Sequence, residues 1–162
     1  MSFVHEIRVR YGEVDLQRVV FNAHWLAYVD DAFTRFLAHL GFGVDTIDRH
    51  GFDAMVVHAE LDWRGAASFD DRIGLEVGIA RLGASSFDLC VVCRVEGRIV
   101  VVAQLTYVAV APGETRSVAI PAAVRAAFEQ HPLVAPDPDG RRAARAAAVA
   151  FAEVPGPDGV GR

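Results

Sequence analysis

The sequence predicts an α+β fold in which a curled, antiparallel, five-stranded sheet surrounds one long helix. Three observations lead there. A short alternating segment comes first, residues 22–40 then carry apolar side chains at helical spacing, and four strand-like runs follow. One helix set among antiparallel strands is an α+β pattern. A sheet that curls around that helix buries most of the helix's surface.

The first segment, Glu6 to Tyr11, alternates Ile7, Val9 and Tyr11 with Arg8 and Arg10, as a short strand with one buried face does. Gly12 to Phe21 is an irregular loop with two acids, Glu13 and Asp15. The helix spans Asn22 to Leu40. Leu26, Val29, Phe33, Phe36, Leu37 and Leu40 form its stripe, widened by Trp25 and Ala32. Asn22 is its expected N-cap and Gly41 its expected C′ residue. Val44 to Arg49 adds one short turn or helix.

Val57, Ala59, Leu61 and Trp63 are expected to face inward, alternating with His58, Glu60, Asp62 and Arg64 on a charged outer face. Ile73, Leu75, Val77 and Ile79 give the next strand, and Phe87, Leu89, Val91 and Cys93 the one after. Glu96-Gly97-Arg98 makes a tight hairpin. Ile99 to Val110 has few polar residues and reads as a central strand covered on both faces. Pro121 opens a short helix with Val124, Ala127 and Phe128 on its apolar face. The domain is therefore read as 1–131. Residues 132–162 form a Pro/Ala/Arg-rich tail, with a marginal helix over Arg141 to Glu153 and disorder from Pro155.

The 162 residues suit one domain with a full core. No uncharged apolar run reaches the roughly 18 residues of a membrane span, and no secretory pattern opens the chain. The expectation is a cytoplasmic protein. A net charge of −5 argues against binding nucleic acid or an anionic membrane, which takes a basic face. Arg supplies all the basic side chains, in a composition rich in Ala, Gly and Val. Cys90 and Cys93 lie within one strand on opposite faces, which makes them reduced structural residues rather than a redox pair. No metal motif, phosphate-binding loop or G-x-S-x-G elbow occurs, so neither metal nor cofactor is expected.

The stretch Val9-Arg10-Tyr11-Gly12-Glu13-Val14-Asp15-Leu16-Gln17-Arg18-Val19-Val20-Phe21-Asn22-Ala23-His24-Trp25-Leu26 carries a resemblance. An aromatic residue, a short acidic loop, an Asp and two small apolar residues lead into the long helix. Weaker echoes are Phe69-Asp70-Asp71, Gly83-Ala84-Ser85-Ser86-Phe87 and Ile120-Pro121. Over residues 5–131 the chain resembles the hotdog-fold thioesterases of the 4-hydroxybenzoyl-CoA and acyl-CoA thioesterase group. The resemblance implies a hydrolase of acyl-CoA or acyl-carrier thioesters. It puts Asp15 on the family's catalytic carboxylate and the backbone N–H of Asn22 on its oxyanion donor. It also implies active sites at a subunit interface, so a homodimer or homotetramer. The family usually has Gly three residues after the Asp, where this chain has Arg18. Gly takes positive φ freely and Arg does not. The loop is thus expected to follow a different path, or Arg18 to sit in an ordinary conformation.

A thioesterase needs a base or nucleophile at the carbonyl carbon and donors for the developing oxyanion. Asp15 serves as either; Asn22 opens a helix whose first N–H groups are free. Phe21, His24 and Trp25 are the candidate substrate contacts, with core packing the alternative for Phe21 and Trp25, and packing or a solvent-facing position the alternative for His24. Glu13 reads as a surface or loop-orienting acid. Arg64, Arg72, Arg81 and Arg94 are candidates for a CoA phosphate. Two other readings stand beside the thioesterase: a hotdog dehydratase or hydratase, with His24 beside Asp15 as its only His–acid pair, and a non-catalytic acyl-thioester binding module.

Overall fold

The computed structural model describes residues 2–136, the side chains of 47 and 48 excepted. The elements run β1 (Phe3–Arg8), a 3₁₀ turn (Tyr11–Glu13), α1 (Asn22–His39), a second 3₁₀ turn (Val44–Thr46), α2 (Ile47–His50), β2 (Asp53–Trp63), β3 (Arg72–Leu82), β4 (Ser86–Val95), β5 (Arg98–Val110) and α3 (Ala122–Phe128). The strands form one antiparallel sheet in the order β1-β3-β4-β5-β2. The fold is the α+β sheet-and-helix architecture of the hotdog. The tail helix expected over 141–153 lies outside the described residues.

The core is where the two periodicities meet. Trp25, Tyr28, Val29, Ala32, Phe33 and Phe36 line the buried face of α1. They share one cluster with Ile73, Leu75, Val77, Phe87, Leu89, Val91 and Tyr107 of the sheet. Phe33 and Phe87 both pack on Tyr107, at ring-centroid distances of 4.6 and 5.3 Å. Such aromatic pairs add to what area burial alone supplies. The helix ends as its sequence predicts. Gly41 takes φ +88°, and the Phe42 and Gly41 N–H groups donate to Leu37 and Ala38 carbonyls, a Schellman motif. Its start differs: Phe21 is the N-cap and Asn22 the first helical residue, with no side-chain cap.

Two strand expectations are corrected. β1 ends at Arg8, and Tyr11 stands exposed on the 3₁₀ turn rather than facing the core. In β2 the expected inward row is largely outside: Val57 is 61% exposed and Trp63 42%. β2 is an edge strand hydrogen-bonded to β5 alone, with a register shift between Val56 and His58. Alternation marks two faces; it does not say whether anything covers one of them.

The outer face of the sheet has a small core of its own. Cys90, Val92, Val102 and Ala135 are buried there, with Ala80, Ile99 and Leu133 packed around them. Cys93 faces the main core, so the two cysteines do lie on opposite faces, both free and buried. Packing therefore continues past His131. The Ile79 N–H donates to the His131 carbonyl (2.8 Å) and the Leu133 N–H to the Ile79 carbonyl (3.0 Å). Arg64 donates to the Pro136 carbonyl at 3.0 Å. Residues 131–136 thus form a strap from β3 across β4 and β5 to the end of β2. Gly78 is the position that lets the strap close: a β-carbon there would lie 2.5 Å from Leu133 Cβ and 2.8 Å from the His131 oxygen. Gly78→Ala is expected to cost about 1–3 kcal/mol by overpacking. Thermal melting reads this, and an unchanged Tm would show that the strap yields freely.

Candidate active site

The Asp15 loop is built by backbone hydrogen bonds at both ends. Val14 and Val20 form a bridge, with the Asp15 N–H on the Val19 carbonyl at 2.9 Å. Inside it, the Arg18 N–H donates to the Asp15 carbonyl at 2.9 Å, closing a turn with Leu16 and Gln17 at its corners. The β2–β3 connection holds the loop from outside, through Val20 N–H on the Ala67 carbonyl and the Val19–Ser68 bridge. One further bond, from the Phe21 N–H to the Glu13 carbonyl (2.9 Å), ties the start of α1 to the start of the loop.

Within this frame the Asp15 carboxylate divides its two oxygens. Oδ1 accepts the Gln17 N–H at 2.8 Å, the local turn bond that Asp favours. Oδ2 has no donor among the described residues. Arg18 takes φ +63°, so both expectations for it were wrong: the loop keeps the left-handed residue, and Arg occupies it. For a side chain with a β-carbon this conformation costs about 1–2 kcal/mol. At the start of α1, the N–H groups of Asn22 and Ala23 have no acceptor among the described residues, and that end of the helix carries its positive dipole.

Two open grooves flank the loop and meet at Gly12. The first, of about 770 Å³, is lined by Tyr11, Gly12, Val14, Asp15, Leu16, Arg18 and Phe69. Tyr11 and Phe69 meet edge to face at 6.1 Å, and Leu16 is fully exposed. The second, of about 830 Å³, runs between β1 and α1 and includes His5, Arg10, Glu13, His24, Tyr28 and Asp31. Asp15 and His24 therefore open on different grooves. His5, not His24, has an acid partner in the second groove, with Nε2 2.8 Å from Asp31 Oδ2. Phe21 is exposed and packs edge-on to His24 at 6.1 Å. Trp25 is 1% exposed and sits edge-on to Tyr28 at 5.8 Å, so core packing is the role its surroundings describe.

Glu13 takes the loop-orienting one of its two expected roles, surface or loop-orienting. It is no surface acid: it is 6% exposed. Its Oε2 accepts the Arg10 N–H (2.8 Å) and the Tyr28 hydroxyl (2.6 Å), and its Oε1 accepts the Arg10 guanidinium (Nε 2.8 Å). Burial pushes its carboxyl up, but the bonds from Arg10 and Tyr28 outweigh burial and hold it at about 2. Burial and the Glu13 bond in turn raise the Tyr28 hydroxyl. The available signals were the Arg10–Glu13 spacing and a Tyr tip on the apolar face of α1. Neither tells in advance which acid is inside.

The four arginines proposed for phosphate are occupied. Arg72 pairs with Glu6 at 3.1 Å and Arg81 with Asp88 at 2.6 Å. Arg64 and Arg94 donate to the Pro136 and Gly97 carbonyls. No group of His, Cys, Asp and Glu suited to a metal occurs among the described residues, and none of their helices is long and apolar enough to cross a membrane.

The model of the thioesterase-like superfamily matches residues 9–128. A 1,4-dihydroxy-2-naphthoyl-CoA hydrolase of Synechococcus elongatus is 30% identical over 81 residues, which are 49% of this chain and 60% of that protein. The chain thus spans less than two thirds of that relative. A gentisyl-coenzyme A thioesterase structure superposes with a TM-score of 0.71 at 25% identity, over 78% of this chain and 99% of that one. A 1,4-dihydroxy-2-naphthoyl-CoA thioesterase structure from Synechocystis, at 22% identity, shares the fold with a TM-score of 0.71 over 82% of this chain and all of that one. The chain belongs to the thioesterase-like superfamily, and thioester hydrolysis is the chemistry that membership assigns to it.

Proposed function

We propose that this protein hydrolyses acyl-CoA or acyl-carrier thioesters to free acid and thiol, with Asp15 as general base or nucleophile and the Asn22 N–H as oxyanion donor. The observation that carries the reading is the split use of the Asp15 carboxylate. One oxygen anchors the turn and the other has no donor among the described residues, while Asp15 lines the groove in a loop that leads to a helix start whose first N–H groups have no acceptor among those residues.

In the base route, Asp15 takes a proton from water as the water oxygen bonds to the thioester carbon. The carbonyl oxygen becomes an oxyanion at the helix start, where donors and dipole stabilise it. Collapse expels the thiolate, a leaving group that needs no strong general acid. In the nucleophilic route Asp15 bonds to the carbon itself, the thiolate leaves, and water resolves the anhydride. Phe21 and His24 border the helix start; His24 lines the second groove, so it contacts substrate only where that groove meets the Asp15 groove at Gly12. Trp25 supports that wall from the core. The names of the relatives favour CoA thioesters as the first substrates to offer.

The partner that completes the site is a second copy of the chain. Met55, Val56, Val57 and Trp63 expose apolar side chains along the edge strand β2, whose outer backbone groups are unpaired by the sheet. Light scattering is expected to give twice the chain mass or a multiple of it, and Val57→Glu to shift the protein toward monomer. A monomeric wild type would remove the interface.

Thiol release from benzoyl-, short-chain and long-chain acyl-CoAs tests the activity. Absence of turnover with these and with carrier thioesters would leave the binding module. Double-bond formation or hydration without thiol release would favour the hydratase, although Asp15 and His24 do not share a groove.

A further inference from the structure

We propose that Arg18 is a specificity determinant that selects acyl groups carrying their own negative charge, such as the far carboxylate of a dicarboxylic acyl thioester. The proposal rests on the thioesterase reading of the Asp15 groove. Two independent observations converge on it.

The first is conformational. Arg18, Asp70 and Glu96 are the non-glycine residues with positive φ among those described. Glu96 is required by the hairpin it shares with Gly97. Asp70 is a residue type that tolerates the left-handed region, and its carboxylate pairs with Arg8. Arg18 has neither reason. Gly would hold the same turn without strain. Strain retained at a groove is grounds for looking to function.

The second is electrostatic. Most of the described arginines pair with a carboxylate or donate to a backbone carbonyl. The Arg18 guanidinium has no acceptor among the described residues, yet it lines the groove on which Asp15 opens. Arg49 and Arg98, also without acceptors among those residues, line neither groove.

Position then selects the anion. Asp15 and Arg18 are the ends of one closed turn, so the exposed Arg18 side chain springs from the backbone three residues from the proposed base and lines the same groove. The phosphates of CoA stand off from the thioester by the whole pantetheine arm. An anion on the acyl side, separated by a few carbons, is the group that meets Arg18 while Asp15 faces the thioester. Tyr11, Val14, Leu16 and Phe69 supply apolar walls for those carbons. A guanidinium fork takes a carboxylate through two parallel N–H bonds.

The experiment compares matched substrates: glutaryl-CoA against hexanoyl-CoA, and 4-carboxybenzoyl-CoA against 4-methylbenzoyl-CoA. Wild type is expected to prefer the charged member of at least one pair. Arg18→Gly should lose about tenfold in kcat/KM for that member, stay within about twofold for its neutral match, and melt about 2–4 °C higher as strain is relieved. Arg18→Lys should retain part of the preference. Equal loss on charged and neutral substrates would overturn the proposal, because Arg18 would then read the nucleotide or shape the loop. No loss on either overturns it, as does a change of mass by light scattering, which would put Arg18 in a subunit contact. Calorimetric binding of the matching non-hydrolysable CoA thioethers makes the same comparison without turnover. A wild type that binds the charged thioether through Arg18 but hydrolyses nothing would sink the hydrolase reading and keep this one.

Discussion

Asp15→Asn is expected to lower thiol release by at least about 100-fold, the effect of losing a positioned base or nucleophile, with little change in melting temperature. The contrast follows from the two jobs of the side chain. Asn keeps an oxygen in the Oδ1 position, so it still accepts the Gln17 N–H and preserves the turn. The Arg18–Asp15 and Asp15–Val19 backbone bonds do not involve the side chain at all. What disappears is the second carboxylate oxygen and the negative charge, and with them proton acceptance from water or attack on the thioester. A binding defect would raise KM at constant kcat; loss of a group that acts at the transition state lowers kcat. Retained turnover would keep the hydrolase and discard Asp15. Glu13 would not be its natural replacement, since it is buried, spends both oxygens on Arg10 and Tyr28, and is held ionised down to about pH 2.

Glu13→Gln is expected to be the most destabilising single-atom change in the loop, costing about 3 kcal/mol at neutral pH. The Arg10 N–H, the Arg10 guanidinium and the Tyr28 hydroxyl all converge on this carboxylate. Gln offers one acceptor where two are used and turns an N–H₂ toward donors. The melting temperature should fall by about 6–12 °C. Because Glu13 also bonds through its carbonyl to the Phe21 N–H, loosening it moves the loop and the helix start together, so activity should fall as well. The pH dependence has a definite sign. The folded-state pKa lies at about 2, below the ordinary value of 4.5. The carboxylate's contribution is therefore complete above the unfolded value and is lost as pH falls through the folded one. The gap between wild type and Glu13→Gln should be full at pH 6 and close between about pH 4.5 and 2. Equal melting at pH 7 would show that Glu13 is not the clamp of the loop.

Legibility varied with the range of the interaction concerned. The stripe of α1, its Gly41 stop and the buried rows of β3, β4 and β5 followed from spacing within one segment, whereas the outer face of β5, expected to be covered, is buried at Val102 and only half-buried at Gln104, Thr106 and Val108. The Asp15 motif was legible because a short acidic loop leading into a long helix is itself a contiguous pattern. Val57 and Trp63 were misplaced because their exposure depends on β2 lying at the sheet edge, which alternation along β2 does not encode. Tyr11 was misplaced because the chain leaves β1 at Arg8 and turns.

The sequence by itself determined the α+β architecture, the long helix and its end, the strand order along the chain, and the loop that holds Asp15 before α1. Hydrophobic periodicity and turn chemistry are local, and they act the same way wherever the segment finally lies. Only the tertiary structure decided that Glu13 is the buried acid and Asp15 the open one, four bonds from Arg10 and Tyr28 outweighing the cost of burial. It also decided that residues 131–136 strap the outer face, that His24 and Asp15 look into separate grooves, and that Arg18 accepts a left-handed turn. Burial, pairing and strain belong to the assembled environment of a residue rather than to its type, so spacing along the chain does not disclose them.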